Sequence, residues 1–206
     1  MKEKDPQTEE ASKEVPAVEL DSSPAKIFPR SKVQLLVMTA LFTALVFVVT
    51  LMASVPSWTG QGIINLGDSA IASSAVLMPH PLMAVVGGVG SALANLANPA
   101  ATVYAPATLI IKGLMGLVLF FFARKGKFLW FALGVVLAEL IMVTGYFLYE
   151  FIFLIGAGAF ASLLPNAVQA GTNLVLALIL FAPLMALRKA LWDRPATEPA
   201  LPGKED

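Results

Sequence analysis

Polar and ionisable side chains are sparse within the long apolar segments of this chain, and most of them cluster toward one end of those segments. Such groups are costly in hydrocarbon, so each one indicates protein, water or ligand beside it. Convergence of several of them from separate helices predicts a small-molecule pocket open to the outside. Interfacial capping and an aromatic belt account for part of the same pattern. The candidate residues are Asn65, Asp68, Asn95, Tyr104, Tyr146, Glu150, Asn166, Gln169 and Asn173.

Three of these residues lie on one predicted helix with a regular spacing. Asn166, Gln169 and Asn173 follow an i, i+3, i+7 pattern and therefore share one helix face. A further aromatic residue, Trp58, lies in a polar stretch at the same end of the chain's apolar segments. It is suited either to cover a pocket and stack on a ring or to anchor the protein at the membrane interface.

Two ionisable residues lie deeper, near the middle of their apolar segments. Counting residues at ~1.5 Å each from the ends of the segments puts Lys112 and Glu139 at a similar depth, where they can form one buried pair. A structural ion pair is one interpretation, and a substrate-facing or proton-linked role is the other.

Several chemistries are excluded by the residue types present. The chain has no cysteine and a single histidine, His80, which lies between prolines in a short turn. Thiol catalysis, disulfides and cysteine-ligated metals are therefore excluded, and we predict neither a metal site nor a cofactor. The chain contains no phosphate-binding loop for ATP hydrolysis and no nucleophile–histidine set. An enzymatic function is therefore the least favoured hypothesis. A formal net charge of zero gives no reason to expect nucleic acid as a partner.

The composition is that of an integral membrane protein. Hydrophobic residues make up 57% of the chain and charged residues 14%, with a mean hydropathy of +0.77. Soluble domains carry about 25% charged residues and 45–50% apolar ones. The apolar surface is therefore too large for one soluble core to hide, and lipid is the natural solvent.

Six apolar runs predict an all-α fold of six transmembrane helices. The second run is short, and we expect its helix to extend back into the preceding polar stretch. Polar tails are predicted over residues 1–30, as a disordered segment, and over residues 191–206, which leaves residues 31–190 as the transmembrane domain. The runs are Lys32 to Ala53, Ser69 to Met78, Leu82 to Leu96, Tyr104 to Phe122, Phe128 to Tyr149 and Leu164 to Leu187.

The distribution of basic residues predicts the orientation. Lysine and arginine flank the start of the first run and the ends of the fourth and sixth runs, whereas the three alternate loops contain neither. Six spans place all of the basic flanks on one side of the membrane. Because basic loops face the cytoplasm, both termini are predicted to be cytoplasmic.

Small residues recur at four-residue spacing in two of the runs. In the third run Ala84, Gly88 and Ala92 indicate close helix packing. In the first run Ala40 and Ala44 form a similar pair. This pair is suited either to packing within the protein or to docking against another membrane protein.

The order of several motifs resembles a known family. Ile63 to Ser69 reads IINLGDS, Gly87 to Asn95 reads GGVGSALAN, Tyr104 to Leu114 reads YAPATLIIKGL, and Gly145 to Glu150 reads GYFLYE. Together they resemble the substrate-binding S components of energy-coupling factor (ECF) vitamin transporters, in the riboflavin-type branch. The resemblance covers about Lys32 to Lys189.

The resemblance implies an ECF S-component-like bundle in the cell membrane, with a substrate site near its outer face. It further implies that Ala40 and Ala44 dock on a transmembrane coupling subunit, and that two cytoplasmic ATPase subunits complete the importer. A vitamin-like heteroaromatic ligand is expected, with riboflavin first and a pyrimidine or pyridoxine-like precursor next. The alternative is an autonomous proton-coupled secondary transporter that uses Lys112 and Glu139, although the inverted repeats typical of that class are not evident.

Overall fold

The computed structural model describes residues 31–60 and 63–192 and shows a helical bundle with one small hairpin. The predicted N-terminal tail lies outside the described residues, as does the predicted C-terminal tail beyond Trp192. The helices are α1 (Lys32–Met52), α2 (Gly67–Leu77), α3 (Met83–Ala97), α4 (Ala105–Ala123), α5 (Phe128–Tyr149) and α6 (Phe160–Trp192). The strands are β1 (Ser54–Pro56) and β2 (Ile63–Asn65).

The helical class of the fold is confirmed, and four helices are long and apolar enough to cross a membrane: α1, α4, α5 and α6. Helix α3 has 15 residues and α2 has 11. At ~1.5 Å per residue both are shorter than a hydrocarbon core of ~30 Å. Six complete spans therefore remain a prediction.

Helix α2 extends back into the preceding polar stretch by only two residues. It begins at Gly67, and the preceding chain forms an antiparallel hairpin in which Ser54 pairs with Asn65 and Pro56 with Ile63. Nearly all of α2 is buried within the protein, which explains its length. A helix surrounded by protein does not need to match the thickness of the lipid.

Close backbone contacts hold α3 against its neighbours, as the small-residue spacing predicts. A Cβ on Gly88 would lie 2.6 Å from the carbonyl oxygen of Leu109 in α4. A Cβ on Gly90 would lie 2.8 Å from the carbonyl oxygen of Thr43 in α1. Glycine at these positions therefore allows the helix backbones to approach each other.

The segment between α5 and α6 also differs from its prediction. The loop expected before Leu164 is a π-helical turn at Glu150–Leu154 and a 3-10 turn at Gly156–Ala159. Helix α6 then begins four residues earlier than predicted, at Phe160. The consequence is that Glu150 and the first turn of α6 lie together at one end of the bundle.

At the opposite end, Arg188 of α6 ties two other helices together. Its guanidinium donates to the carbonyl oxygens of Val76 at 3.3 Å and Ala123 at 3.4 Å. These two residues lie in the last turns of α2 and α4. A cation at helix C-termini complements their partial negative charge. In the nearby turn after α2, partial burial lowers the pKa of His80, whose Nδ1 accepts from the N–H of Leu82 at 3.2 Å. This histidine therefore caps a turn.

Candidate functional site

A pocket lies at the end of the bundle that carries the hairpin. Its walls come from β2, the C-terminal ends of α3 and α5, the segment between α3 and α4, the π-helical turn after α5 and the N-terminal part of α6. The cavity measures about 30 Å³, room for on the order of two water molecules. A ring-sized ligand therefore requires the lining elements to move apart. The lining residues are Ile63, Asn65, Asn95, Ala101, Tyr104, Tyr146, Glu150, Asn166 and Gln169.

One wall of the pocket is a chain of hydrogen bonds through a threonine. The Nδ2 of Asn95 donates to Oγ1 of Thr108 at 2.7 Å, and the Tyr146 hydroxyl lies 2.7 Å from the same oxygen. Thr108 is 1% exposed, so it holds both pocket side chains from behind. The ring of Tyr146 meets that of Tyr104 edge to face, with centroids 6.2 Å apart.

Glu150 lies at the start of the π-helical turn and is buried. Its Oε1 accepts a hydrogen bond from the Tyr104 hydroxyl at 3.0 Å, and its Oε2 accepts one from the Ser162 hydroxyl. Both oxygens of the carboxylate are thus oriented by neutral donors. A buried carboxylate held in this way keeps acceptor capacity for a ligand, because each oxygen has more than one lone pair.

The shared face of α6 organises the rest of the site. Gln169 accepts from the backbone N–H of Asn65 at 2.9 Å, and Asn173 accepts from the N–H of Ser69 at 2.9 Å. The Nδ2 of Asn173 also donates to the carbonyl oxygen of Asn65 at 2.9 Å. These side chains fix β2 and the start of α2 against α6. The i, i+3, i+7 spacing of Asn166, Gln169 and Asn173 had predicted that they share this face of the helix.

Asn166 differs from the other two amides on this face. It is 8% exposed and lines the pocket, and its Nδ2 has no hydrogen-bond partner among the described residues. An unpaired buried donor costs about 1–3 kcal/mol. Asn166 therefore offers the pocket a hydrogen-bond donor that no described residue satisfies.

An ion pair lies beneath the pocket, and Lys112 forms it with a different residue from the one that was predicted. Lys112 forms its salt bridge with Asp68, whose other oxygen accepts from Gln169 Nε2 at 3.0 Å. The predicted pairing of Lys112 with Glu139 was wrong. Glu139 is 5% exposed, and its Oε2 has no hydrogen-bond partner among the described residues. Depth alone did not reveal that α2, which carries Asp68, packs against α4.

The structure brings together most of the predicted site residues in one lining, but not all of them. Asp68, Lys112 and Asn173 lie outside the lining and support it from below. Trp58 also lies outside the lining and is 60% exposed. Sequence reasoning missed Thr108 and Ser162, which contact the lining residues directly. Hydroxyl groups are common in membrane helices and give little signal in a sequence.

Ala40 and Ala44 are exposed on α1, away from the pocket. Large apolar side chains beside them are exposed as well, including Leu41 at 64% and Leu45 at 44%. The two alanines therefore do not pack inside the protein. They lie on a surface that meets either lipid or another membrane protein.

Comparisons with known proteins identify the family to which this arrangement belongs. The family described as "ECF-type riboflavin transporter, S component" matches residues 30–189. A protein of Pyrococcus woesei, described as "uncharacterized protein in gap 3'region", is 33% identical over 135 residues, which cover 64% of this chain and 88% of that protein. The family match spans the bundle up to the last three residues of α6 and includes all of the pocket residues. The chain therefore belongs to the S components of ECF-type riboflavin transporters, a family of membrane transporter subunits.

Proposed function

We propose that this chain is the substrate-capture subunit of an ATP-driven importer in the cell membrane. It binds a vitamin-like heteroaromatic compound in the pocket and delivers it to partner subunits. The observation that supports this most strongly is the buried Nδ2 of Asn166 in the pocket wall, which has no hydrogen-bond partner in the described part of the chain. Membership of the S-component family implies association with other ECF components.

The chemistry of the lining supports a flat, polar ring as ligand. Side-chain amides offer both a donor and an acceptor, which matches the alternating N–H and C=O groups of an imide or pyrimidine edge. Tyr104 and Tyr146 add aromatic surface beside these amides. Riboflavin is our first candidate because its ring system carries such an edge, and a pyrimidine or a pyridoxine-like precursor follows.

Energy is supplied, in this proposal, by a transmembrane coupling subunit and two cytoplasmic ATPases. The chain itself has no phosphate-binding loop. The alternative is an autonomous proton-coupled carrier that uses Lys112 and Glu139. The salt bridge between Lys112 and Asp68 gives this lysine a structural partner, and we therefore favour the ATP-driven importer.

The proposed orientation places the pocket at the outer face and both termini in the cytoplasm. Basic residues Arg124, Lys125 and Lys127 lie at the end of the bundle opposite the pocket, which agrees with the tendency of basic loops to stay in the cytoplasm. In intact cells, a cysteine at Thr59 or Gly158 should react with an impermeant thiol reagent and one at Gly126 should not. Since the chain has no native cysteine, labelling is unambiguous. Labelling of Gly126→Cys alone would invert the orientation.

Replacing Asn166 with alanine tests the proposed pocket. Loss of one ligand hydrogen bond typically costs ~0.5–1.5 kcal/mol. The affinity for the ligand should therefore decrease by a factor between about two and about ten. Binding of riboflavin, or of the compound that co-purifies, to the detergent-solubilised chain can be followed by calorimetric titration. Thermal stability should hold or rise, because the alanine removes an unpaired buried donor.

The matched control is Thr172→Ala on the same helix. Thr172 is exposed and lies outside the lining, and its hydroxyl donates to the carbonyl oxygen of Val168 in its own helix. Its replacement should leave affinity unchanged. Equal affinities in the wild type and the Asn166→Ala variant would remove Asn166 from the ligand-contacting set.

A further inference from the structure

The pocket wall has an uneven distribution of charge. Glu150 is the only acidic or basic side chain among the lining residues, and it is 1% exposed. The remaining polar groups of the lining are amides and phenols. A ligand that enters this space therefore meets one carboxylate and no cation.

The charge of Glu150 is oriented but not neutralised by the residues around it. Its two hydrogen bonds come from the hydroxyls of Tyr104 and Ser162, which carry no charge. The buried cation beneath the pocket, Lys112, lies 5.5 Å from the centroid of the Tyr146 ring and forms a salt bridge with Asp68 instead. Within the described part of the chain, no lysine, arginine or histidine forms a salt bridge with Glu150. An ion in a low-dielectric site interacts far more strongly with a second charge than it would in water.

A second wall of the same pocket presents the opposite polarity. The Nδ2 of Asn166 is a buried donor without a partner among the described residues. Glu150 accepts hydrogen bonds, and Asn166 has a free N–H group that can donate one to a ligand. A ligand that satisfies both must carry an N–H, amino or cationic group toward Glu150 and a carbonyl or ring nitrogen toward Asn166.

We propose that Glu150 makes this pocket selective for neutral or cationic heteroaromatic compounds and against their phosphorylated or carboxylated forms. This inference rests on the proposed function, because it assigns a substrate class to the same pocket. An anionic group has no cation to pair with in the lining and approaches the Glu150 carboxylate. The class of substrate is thus a free nucleobase-like or vitamin ring that bears an N–H or amine.

Matched pairs of probes test the proposal on the wild-type chain. Each pair shares one ring and differs in an anionic group: riboflavin with riboflavin 5′-phosphate, uracil with orotate, and pyridoxine with pyridoxine 5′-phosphate. In calorimetric titrations of the purified full chain, the uncharged member of the pair that binds should bind at least about tenfold more tightly, or ~1.4 kcal/mol. Equal or tighter binding of the anionic member would overturn the charge selection while leaving substrate capture intact. Failure of every probe to bind, with no small molecule co-purifying, would overturn the proposed function as well.

Two substitutions move the preference in opposite directions. Glu150→Gln keeps the size and the acceptor oxygen but removes the charge, so the ratio between paired probes should fall below about threefold. Asn166→Asp places a second carboxylate in the wall and should increase the ratio.

The same chemical change at Asn98→Asp serves as the control. Asn98 lies outside the lining, and its Oδ1 accepts from the N–H of Ala100 at 3.1 Å, a bond that aspartate retains. A ratio that stays the same in Glu150→Gln and in Asn166→Asp would refute the role of Glu150.

Discussion

Replacing Lys112 with alanine is expected to destabilise the folded protein by about 3–5 kcal/mol, because Asp68 is left as a buried, unpaired charge. Lys112 is 2% exposed and Asp68 is 1% exposed, so neither group can turn to water when its partner is removed. Asp68 also holds Gln169, which in turn binds the backbone of β2. The melting temperature of the purified variant, measured in the same detergent as the wild type, should therefore fall sharply.

Three companion variants identify the partner of Lys112. Asp68→Asn should destabilise the protein by a similar mechanism, since it leaves the lysine unpaired. The double variant Asp68→Asn with Lys112→Met should recover much of the loss, because it removes both charges together. Glu139→Gln should change stability little, because Oε2 of Glu139 makes no hydrogen bond among the described residues. A large loss in Glu139→Gln with little loss in Asp68→Asn would restore the pairing predicted from the sequence and contradict the structure.

Replacing Ala40 and Ala44 together with leucine is expected to abolish uptake while leaving ligand affinity unchanged. Both alanines are exposed on one face of α1, and neither contributes to the pocket. Small residues allow the backbones of membrane helices to approach closely, so added side-chain volume separates them. In a strain that supplies the coupling module, accumulation of labelled riboflavin, or of the co-purified ligand, should fall to background. The affinity-tagged variant should no longer retain its partners.

The chain offers a matched control for this pair. Ala182 and Ala186 are also exposed alanines four residues apart, and they lie on α6. Ala182→Leu with Ala186→Leu adds the same volume to another helix and should leave uptake near the wild-type level. If the α1 variant lost affinity as much as uptake, its effect would be on the fold of this subunit rather than on docking.

The ends of most helices could be predicted because lipid leaves little freedom in the sequence. The fifth run was predicted to end at Tyr149, and α5 spans Phe128–Tyr149. The small hairpin was missed because each strand has only three residues, and segments this short carry no detectable alternation. The start of the sixth helix was also misjudged, since α6 begins at Phe160 rather than at Leu164.

The pocket residues could be predicted because polar side chains are energetically unfavourable in a membrane, whereas their hydrogen-bond partners depend on the three-dimensional packing of the helices. An amide or carboxylate in an apolar segment is expensive, which drew attention to Asn166 and Glu150. The partner of Lys112 depends on which helices are neighbours and how each is rotated. Counting residues gives only the depth of a side chain in the membrane. It placed Glu139 at the same depth as Lys112, but it could not show that Asp68 lies beside Lys112. Thr108 and Ser162 escaped because a hydroxyl in a helix can bond a carbonyl of the preceding turn at little cost.

Native mass spectrometry of the full chain, purified without any partner subunit, tests the central claim most directly. We predict one small molecule bound per chain, with the mass of an uncharged or cationic heteroaromatic compound. Occupancy should fall in Asn166→Ala and hold in Thr172→Ala, because only the first of these residues lines the pocket. A chain that carries no small molecule, or one whose occupancy is the same in both variants, would contradict substrate capture at this site.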